Sequence, residues 1–377
     1  MDWKKLIAYW PLVVFGLFCL VTLIQLFYYL FFFIRLAFYK KKGKSRSITH
    51  PVSVIVCARD EANNLEKFLP EVLTQDFNFS QEVIVVNDNS NDDTKFFLDE
   101  LQRTFRQLKP VTLEQEALHI PGKKYPLSIG IKSSRYEVLL LTDADCMPAS
   151  PHWISTMMDT YDEGVEIVLG YGAFIKKGTL LNKLVRFETY HAALQYLSYA
   201  LAGLPYMGVG RNLSYRKDLF YRNKGFSSMN HIPGGDDDLF INKVATKKNT
   251  RIAVDKESFT LSEPPESVFE WWKQKSRHYT TARYYKPVHK FFLALYAISH
   301  FLFYPLLIAS AVFYDWRLAL GVFGLRLLIQ AFVYYKTMKR LDEADLFPWF
   351  WLLDIWQFFY YIIFSFTLVG KPKSTWK

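Results

Sequence analysis

Glu137–Cys146 reads EVLLLTDADC, and this stretch decides what kind of sheet the chain builds. Val138-Leu139-Leu140-Leu141 is a continuous apolar run of strand length, with no polar face to offer water. Strands of that kind belong to parallel sheets covered on both faces. Asp143 and Asp145 then fall at the C-terminal end, where open α/β sheets bind ligands. Two carboxylates one residue apart can hold a hard divalent cation, and such a cation can bridge a diphosphate.

Upstream, the pattern repeats. PVSVIVC at Pro51–Cys57 and EVIVV at Glu82–Val86 are β-branched runs that favour strands. Glu61–Thr74 places Leu65, Phe68, Leu69 and Val72 on one helical face. Ser90-Asn91-Asp92-Asp93 has capping-box spacing, with Asp92 and Asp93 as the capping acids of a helix expected to reach about Leu108. Val111–Leu113 is expected as a third strand and Leu127–Ser133 as a helix. Ser150-Pro151 reads as the start of another helix. Such alternation implies an α/β domain with a mostly parallel sheet and right-handed crossovers. Leu180–Leu204 is either a core helix or one lying against a bilayer.

The strand ends carry acids instead of glycines. Cys57-Ala58-Arg59-Asp60-Glu61 has no Gly-x-Gly-x-x-Gly, and Gly122-Lys123-Lys124 lacks the remainder of a phosphate loop. Gly208-Val209-Gly210 reads as a turn. This pattern favours metal-assisted diphosphate binding over a glycine-rich cradle.

The flanks differ from this middle. Of the 377 residues, 51% are hydrophobic and 18% aromatic, and the apolar ones concentrate at about Leu6–Phe38, Phe291–Phe313, Leu318–Tyr335 and Trp349–Val369. Spanning a bilayer takes about 20 apolar residues, so one anchor before the middle and three after it are expected. The first is too long for the core of a cleaved signal peptide. Lys40, Lys41, Lys42, Lys44 and Arg46 follow the first span, against Lys4 and Lys5 before it, which puts the middle in the cytosol. Lys371, Lys373 and Lys377 oppose that count, unless one segment is re-entrant. The net charge of +10 clusters at these flanks, so membrane lipid, and no nucleic acid, is the expected partner. The three cysteines have no metal-ligand spacing.

Taken in order, six motifs resemble family-2 glycosyltransferases with a GT-A domain. They are VSVIVCARDEANNL (Val52–Leu65), VVNDNSNDDT (Val85–Thr94), Gly122-Lys123, TDADC (Thr142–Cys146), GGDDDLF (Gly234–Phe240) and QKSRH (Gln274–His278). The resemblance implies a Rossmann-like, mostly parallel, cytosolic GT-A domain flanked by transmembrane helices. The expected division is 1–45 anchor and basic flank, 46–264 catalytic domain, 265–290 interfacial helix, and 291–377 membrane helices.

The resemblance also implies roles. Asp88, Glu61 and the backbone near Ala58 would contact the nucleotide, and Lys123 the sugar or phosphate. Asp145 would coordinate Mg²⁺ or Mn²⁺, with Asp143 on ribose or the cation. Asp237 is the candidate general base and Asp238 the alternative, because Asp236-Asp237 matches the family's Glu-Asp pair best. Gln274 and Arg277 share one helix face with His278, which stands where the family has Trp. Trp271, Trp272, Tyr279, Tyr284 and Tyr285 suggest that this helix is interfacial.

The implied activity is inverting transfer from a nucleotide-diphosphate sugar, a UDP-sugar in first place, to a lipid-linked or glycan acceptor. The implied site is an integral membrane protein, of the inner membrane if bacterial. Two alternatives are a non-catalytic nucleotide-sensing or assembly subunit of an envelope-glycan complex, and a metal-dependent nucleotidyl or phosphosugar transferase.

Overall fold

The structure, a computed structural model, describes residues 9–41, 50–115, 120–278 and 280–365, with backbone alone at 277–278 and 364–365. The basic residues Lys4, Lys5, Lys42, Lys44, Arg46, Lys371, Lys373 and Lys377 lie outside the described residues, as do Tyr279 and the side chains of Arg277 and His278. The chain divides into two compact units, one within Met1–Tyr39 and Lys286–Val369, the other within Lys40–Tyr285 and Gly370–Lys377.

The second unit is α/β. Its strands are β1 (Val52–Ala58), β2 (Gln81–Asp88), β3 (Leu108–Leu113), β4 (Val138–Asp143), β5 (Cys146–Pro148), β6 (Ile167–Leu169), β7 (Gly172–Phe174), β8 (Leu213–Arg216), β9 (Thr250–Ile252) and β10 (Thr260–Ser262). Its helices are α1 (Ala62–Leu73), α2 (Thr94–Thr104), α3 (Lys124–Ser133), α4 (Trp153–Met158), α5 (Leu180–Leu201), α6 (Lys217–Arg222), α7 (Asp238–Val244) and α8 (Val268–His278). The main sheet has seven strands in the order β3-β2-β1-β4-β8-β6-β9. β3, β2, β1 and β4 run parallel, and β8 enters antiparallel to β4 and β6. A smaller sheet is ordered β5-β10-β7.

Val138–Leu141 is buried throughout, as its unbroken apolar run requires of a central strand. Removing each such leucine from water stabilises by about 2 kcal/mol. Helix α3 presses close on the sheet at Gly130, where a Cβ would stand 2.7 Å from Ile55 and 3.1 Å from Val86. Helix α2 stops at Thr104, short of the expected Leu108, because Leu108 instead opens β3 and pairs with Val83. Helix α4 begins at Trp153, with Ser150 Oγ accepting the His152 N–H at 3.0 Å. Helix α5 is the core-helix alternative: buried residues surround it from Val185 to Tyr199.

Among the described residues, the first unit contains four helices long and apolar enough to cross a membrane, Trp10–Ala37, Pro287–Phe313, Trp316–Arg340 and Ala344–Ile363. Their shared interior is polar at one level. Arg326, fully buried, donates to Asp354 Oδ2 at 2.7 Å, to Gln330 Oε1 at 2.8 Å and to Gln25 Oε1 at 2.7 Å. Asp354 also accepts from Gln330 at 2.7 Å and Tyr304 at 2.6 Å, with His300 Nε2 at 3.1 Å. Each of these four apolar helices contributes to this cluster, so the buried charges register the helices against one another.

Candidate active site

The parallel register brings three strand ends to one edge. Ala58 pairs with Asn87, and Cys57 with Asp143, so the loops after β1, β2 and β4 emerge side by side. The first two loops are laced together. Asp60 and Asn89 both adopt left-handed backbone, with φ of 53° and 52°. Asp60 N–H donates to Ser90 Oγ at 2.9 Å, and Asn91 N–H returns to Asp60 Oδ1 at 2.7 Å. Asp92 accepts from Thr94 N–H at 3.1 Å and from Ala62 N–H at 3.0 Å, supporting the starts of both α2 and α1. Asp93, the other expected capping acid, makes no side-chain cap. Asp88 is buried at the end of β2 and accepts the Asn89 amide at 3.0 Å. Asn87 Oδ1 accepts the Ser90 N–H at 3.3 Å, so this position holds the loop without charge.

The acidic pair faces the same edge. The ligand atoms of Asp143, Asp145 and Cys146 lie within 4.8 Å of one another. Asp145 is open to solvent on one side, yet the protein crowded around its carboxylate, then Asp143, pushes its pKa upward. Glu61 adds to that push, which puts it beside the pair, and Arg211 opposes it. Burial and the same acids raise the Cys146 thiol well above its ordinary range, and it donates to Asp145 Oδ1 at 3.4 Å. A protonated thiol is a poor ligand, so the available donors are carboxylate oxygens, the set a hard divalent cation takes. The crowded like charges are what such an ion would relieve.

Lys123 forms an ion pair with Asp143. Burial works against its charge, but Asp143, then Cys57 and Asp236, hold the ammonium above its ordinary range. The next residue, Lys124, is fully buried and turns the other way. Its Nζ donates to the carbonyls of Ile232 and Gly234, the latter at 2.6 Å, just ahead of the acidic triplet.

The triplet's three acids have different surroundings. Asp237 Oδ2 accepts the Gly210 N–H at 2.7 Å and its Oδ1 the Asp238 N–H at 2.6 Å. Asp238 is buried; it accepts from Leu239 N–H at 2.7 Å, from Tyr285 OH at 2.7 Å and from Thr281 Oγ1. Burial raises both carboxyls. Asp236 is half-buried, makes no hydrogen bond or ion pair among the described residues, and lies within electrostatic reach of Lys123 and Lys124.

A family model described as "Glycosyltransferase like family 2" matches residues 50–281, more than half of the chain. The chain belongs to this family. It is an enzyme, a glycosyltransferase, and all the acids above fall within the matched region. The Bacillus subtilis (strain 168) protein named "Probable glycosyltransferase YdaM" is 25% identical over 316 residues, which cover 76% of this chain and 72% of that one. A Synechocystis protein named "Uncharacterized glycosyltransferase sll0501" is 33% identical over 124 residues, 32% of this chain and 37% of its own. Among solved structures, "Mannosyltransferase PcManGT from Pyrobaculum calidifontis in complex with GDP-Man and Mn2+" superposes over 93% of this chain and 99% of that one, with a TM-score of 0.58 at 18% identity. That likeness is one of fold, and the fold is GT-A.

Within this family domain, Arg211 was not singled out by sequence. Its guanidinium stands 4.7 Å over the Phe174 ring, donates to Ser262 Oγ at 3.1 Å and faces the acidic pair electrostatically. A charged residue just after Gly208-Val209-Gly210, at the entry to a buried strand, was the available signal. Helix α8 carries Gln274, half-buried, and Lys275, whose ammonium is paired with Glu188 on α5. Val268, Phe269 and Trp272 point outward, 64%, 70% and 38% exposed, whereas Trp271 is buried. Tyr285, expected at the interface, is buried because its hydroxyl is spent on Asp238.

Proposed function

We propose that the chain catalyses inverting transfer of a sugar from a nucleotide-diphosphate sugar to a hydroxyl of a lipid-linked or glycan acceptor at a membrane. The observation that carries this reading is the convergence of Asp143 and Asp145, the neighbouring Lys123, and the carboxylate of Asp236, which is unengaged among the described residues and within electrostatic reach of Lys123. The nucleotide lies over the laced loops after β1 and β2, against Ala58, Glu61 and Asp88. Asp145, with Asp143, would hold Mg²⁺ or Mn²⁺, whose charge would neutralise the leaving diphosphate. Lys123 adds positive charge on the phosphate side, and Arg211 does so from the β8 side.

Asp236 is the general base in this reading, in place of the Asp237 favoured by motif alignment. A base must reach the acceptor proton with a free oxygen. The Asp237 and Asp238 oxygens already bind backbone and side-chain donors, which suits them to holding the loop. Asp236 takes the hydroxyl proton as the acceptor oxygen bonds to the anomeric carbon. The carbon–oxygen bond to the diphosphate breaks on the opposite face, and the nucleoside diphosphate leaves with the electron pair. Gln274 and Arg277, on one face of α8, are assigned to binding the donor or acceptor in this reading.

The four helices long and apolar enough to cross a membrane support a bilayer anchor, and the basic residues after the first of them favour a cytosolic domain. The outward Val268, Phe269 and Trp272 support an interfacial placement of α8. Four helices make a small bundle for conducting a long polymer, which favours a lipid or lipid-linked acceptor. The test is to incubate the purified protein with a panel of nucleotide sugars, Mn²⁺ and membrane lipid extract, then identify glycosylated products by mass spectrometry. A new glycolipid supports the reading, and accumulation of long polymer contradicts the acceptor assignment.

A further inference from the structure

We propose that Lys124 is a positioning residue for the transfer step: its buried ammonium holds the loop that presents Asp236. This rests on the reading of Asp236 as the base and goes beyond it. A lysine ammonium has three donors, and two of them are directed at the carbonyls of Ile232 and Gly234. Burying a charge is costly unless it is paired and hydrogen-bonded. A fully buried lysine at the first position of α3, clear of Asp143, therefore has a local reason to be there.

The loop needs the support. Gly234 and Gly235 take successive left-handed conformations, with φ of 78° and 87°. Glycine pairs of this kind are conformationally permissive, so their geometry has to be imposed from outside. Asp237 and Asp238 anchor the loop on its C-terminal side, to Gly210, Thr281 and Tyr285. Lys124 anchors it on the N-terminal side, and Asp236 sits between the two anchors. The tandem lysines thus divide the work, Lys123 toward the acidic pair and Lys124 toward the base loop.

Lys124 also brings charge. Asp236 and Asp238 both act electrostatically on it, while Lys123, Cys57, Tyr215, Asp237 and Asp238 also feel the charge of Asp236. Removing the ammonium leaves the base among acids, with Lys123 still within its reach.

The experiment compares full-length wild type, Lys124→Met, Lys124→Gln and Asp236→Asn in detergent or nanodiscs. It measures kcat, donor KM, the pH–rate profile and the melting temperature. Lys124→Met loses the hydrogen bonds and the charge; Lys124→Gln keeps an N–H donor and loses the charge. Misplacing a reacting group by about 1 Å costs about 100-fold, so Lys124→Met is expected to lower kcat about that much. Donor KM stays within about two-fold, the signature of a lost transition-state interaction. Lys124→Gln, which keeps a donor, falls between wild type and Lys124→Met in kcat. Should Lys124→Met fail to fold, Lys124→Gln decides alone.

Wild-type kcat in the folded Lys124 variants, a donor KM that rises in step with the loss, or losses that merely follow the folded fraction would overturn the proposal. If Asp236→Asn is inactive in that case, the base reading stands and only the positioning role fails. If Asp236→Asn turns over at the wild-type rate, the base reading itself fails.

Discussion

The amide N–H of Gly210 donates to Oδ2 of Asp237 across 2.7 Å, tying the segment before β8 to an acid 27 residues later. With its other oxygen on the Asp238 amide, Asp237 is engaged on both sides, and among the described residues Asp236 keeps the open carboxylate. Asp236→Asn is therefore expected to lower kcat about 100- to 10,000-fold, the usual contribution of a general base. Asp237→Asn keeps a carbonyl for one of the two amides and should lose at least ten-fold less, by about that margin on the same scale. Steady-state kinetics on both variants checks this, and the reverse ranking would restore Asp237 as the base.

Asp237 also makes stability depend on pH. Burial, then Asp236 and Asp238, raise its carboxyl well above the usual range. The native chain therefore keeps a proton that the unfolded chain has already released. The resulting stabilisation is fully present below the unfolded value of about 3.9 and is lost as pH rises through the folded value. Asp237→Asn does not titrate. The melting temperature of the wild type minus that of Asp237→Asn should fall as pH rises above about 4, and a gap that stays constant would contradict this.

The acidic pair makes a prediction about metal. Chelation should abolish turnover and added Mn²⁺ or Mg²⁺ should restore it. Asp145→Ala should remove metal-dependent binding of a nucleoside diphosphate, read by titration calorimetry, while leaving the melting temperature of the metal-free protein unchanged or raised. Relief of the crowding between Asp145 and Asp143 is the reason for the second expectation. A clear destabilisation would mark Asp145 as a structural acid.

In the apolar unit, Asp354 accepts from Arg326, Gln330 and Tyr304 at one level of the bundle. Asp354→Asn leaves the buried Arg326 without its counter-charge, and breaking such a pair costs about 3–5 kcal/mol. Arg326→Met with Asp354→Leu removes both charges and should cost less than the sum of the single changes. Denaturant titration in detergent micelles measures the difference, and strict additivity would show that the two residues act independently.

What the sequence made legible follows from which patterns are local. The apolar run before Asp143 defines β4, and acids instead of glycines at the ends of β1, β2 and β4 point to the chemistry of the site. The four apolar stretches stand out by length alone. The triplet was less legible, because its three acids are chemically identical and a one-residue shift in alignment changes which is the base. Only partners distant in sequence, Gly210 for Asp237 and Tyr285 for Asp238, separate them. Lys124 was hidden for the same reason: nothing beside it in sequence reveals that it reaches carbonyls some 110 residues away. Tyr285 looked interfacial because its neighbours are aromatic, and its hydrogen bond to Asp238 outweighs that context.

The most direct test of sugar transfer at this site is the small product released from a nucleotide sugar, with Mn²⁺ and acceptor lipid present, by wild type and by Asp236→Asn. The account predicts nucleoside diphosphate from the wild type and essentially none from the variant. Pyrophosphate or nucleoside monophosphate as the primary product, or undiminished release by Asp236→Asn, would contradict it.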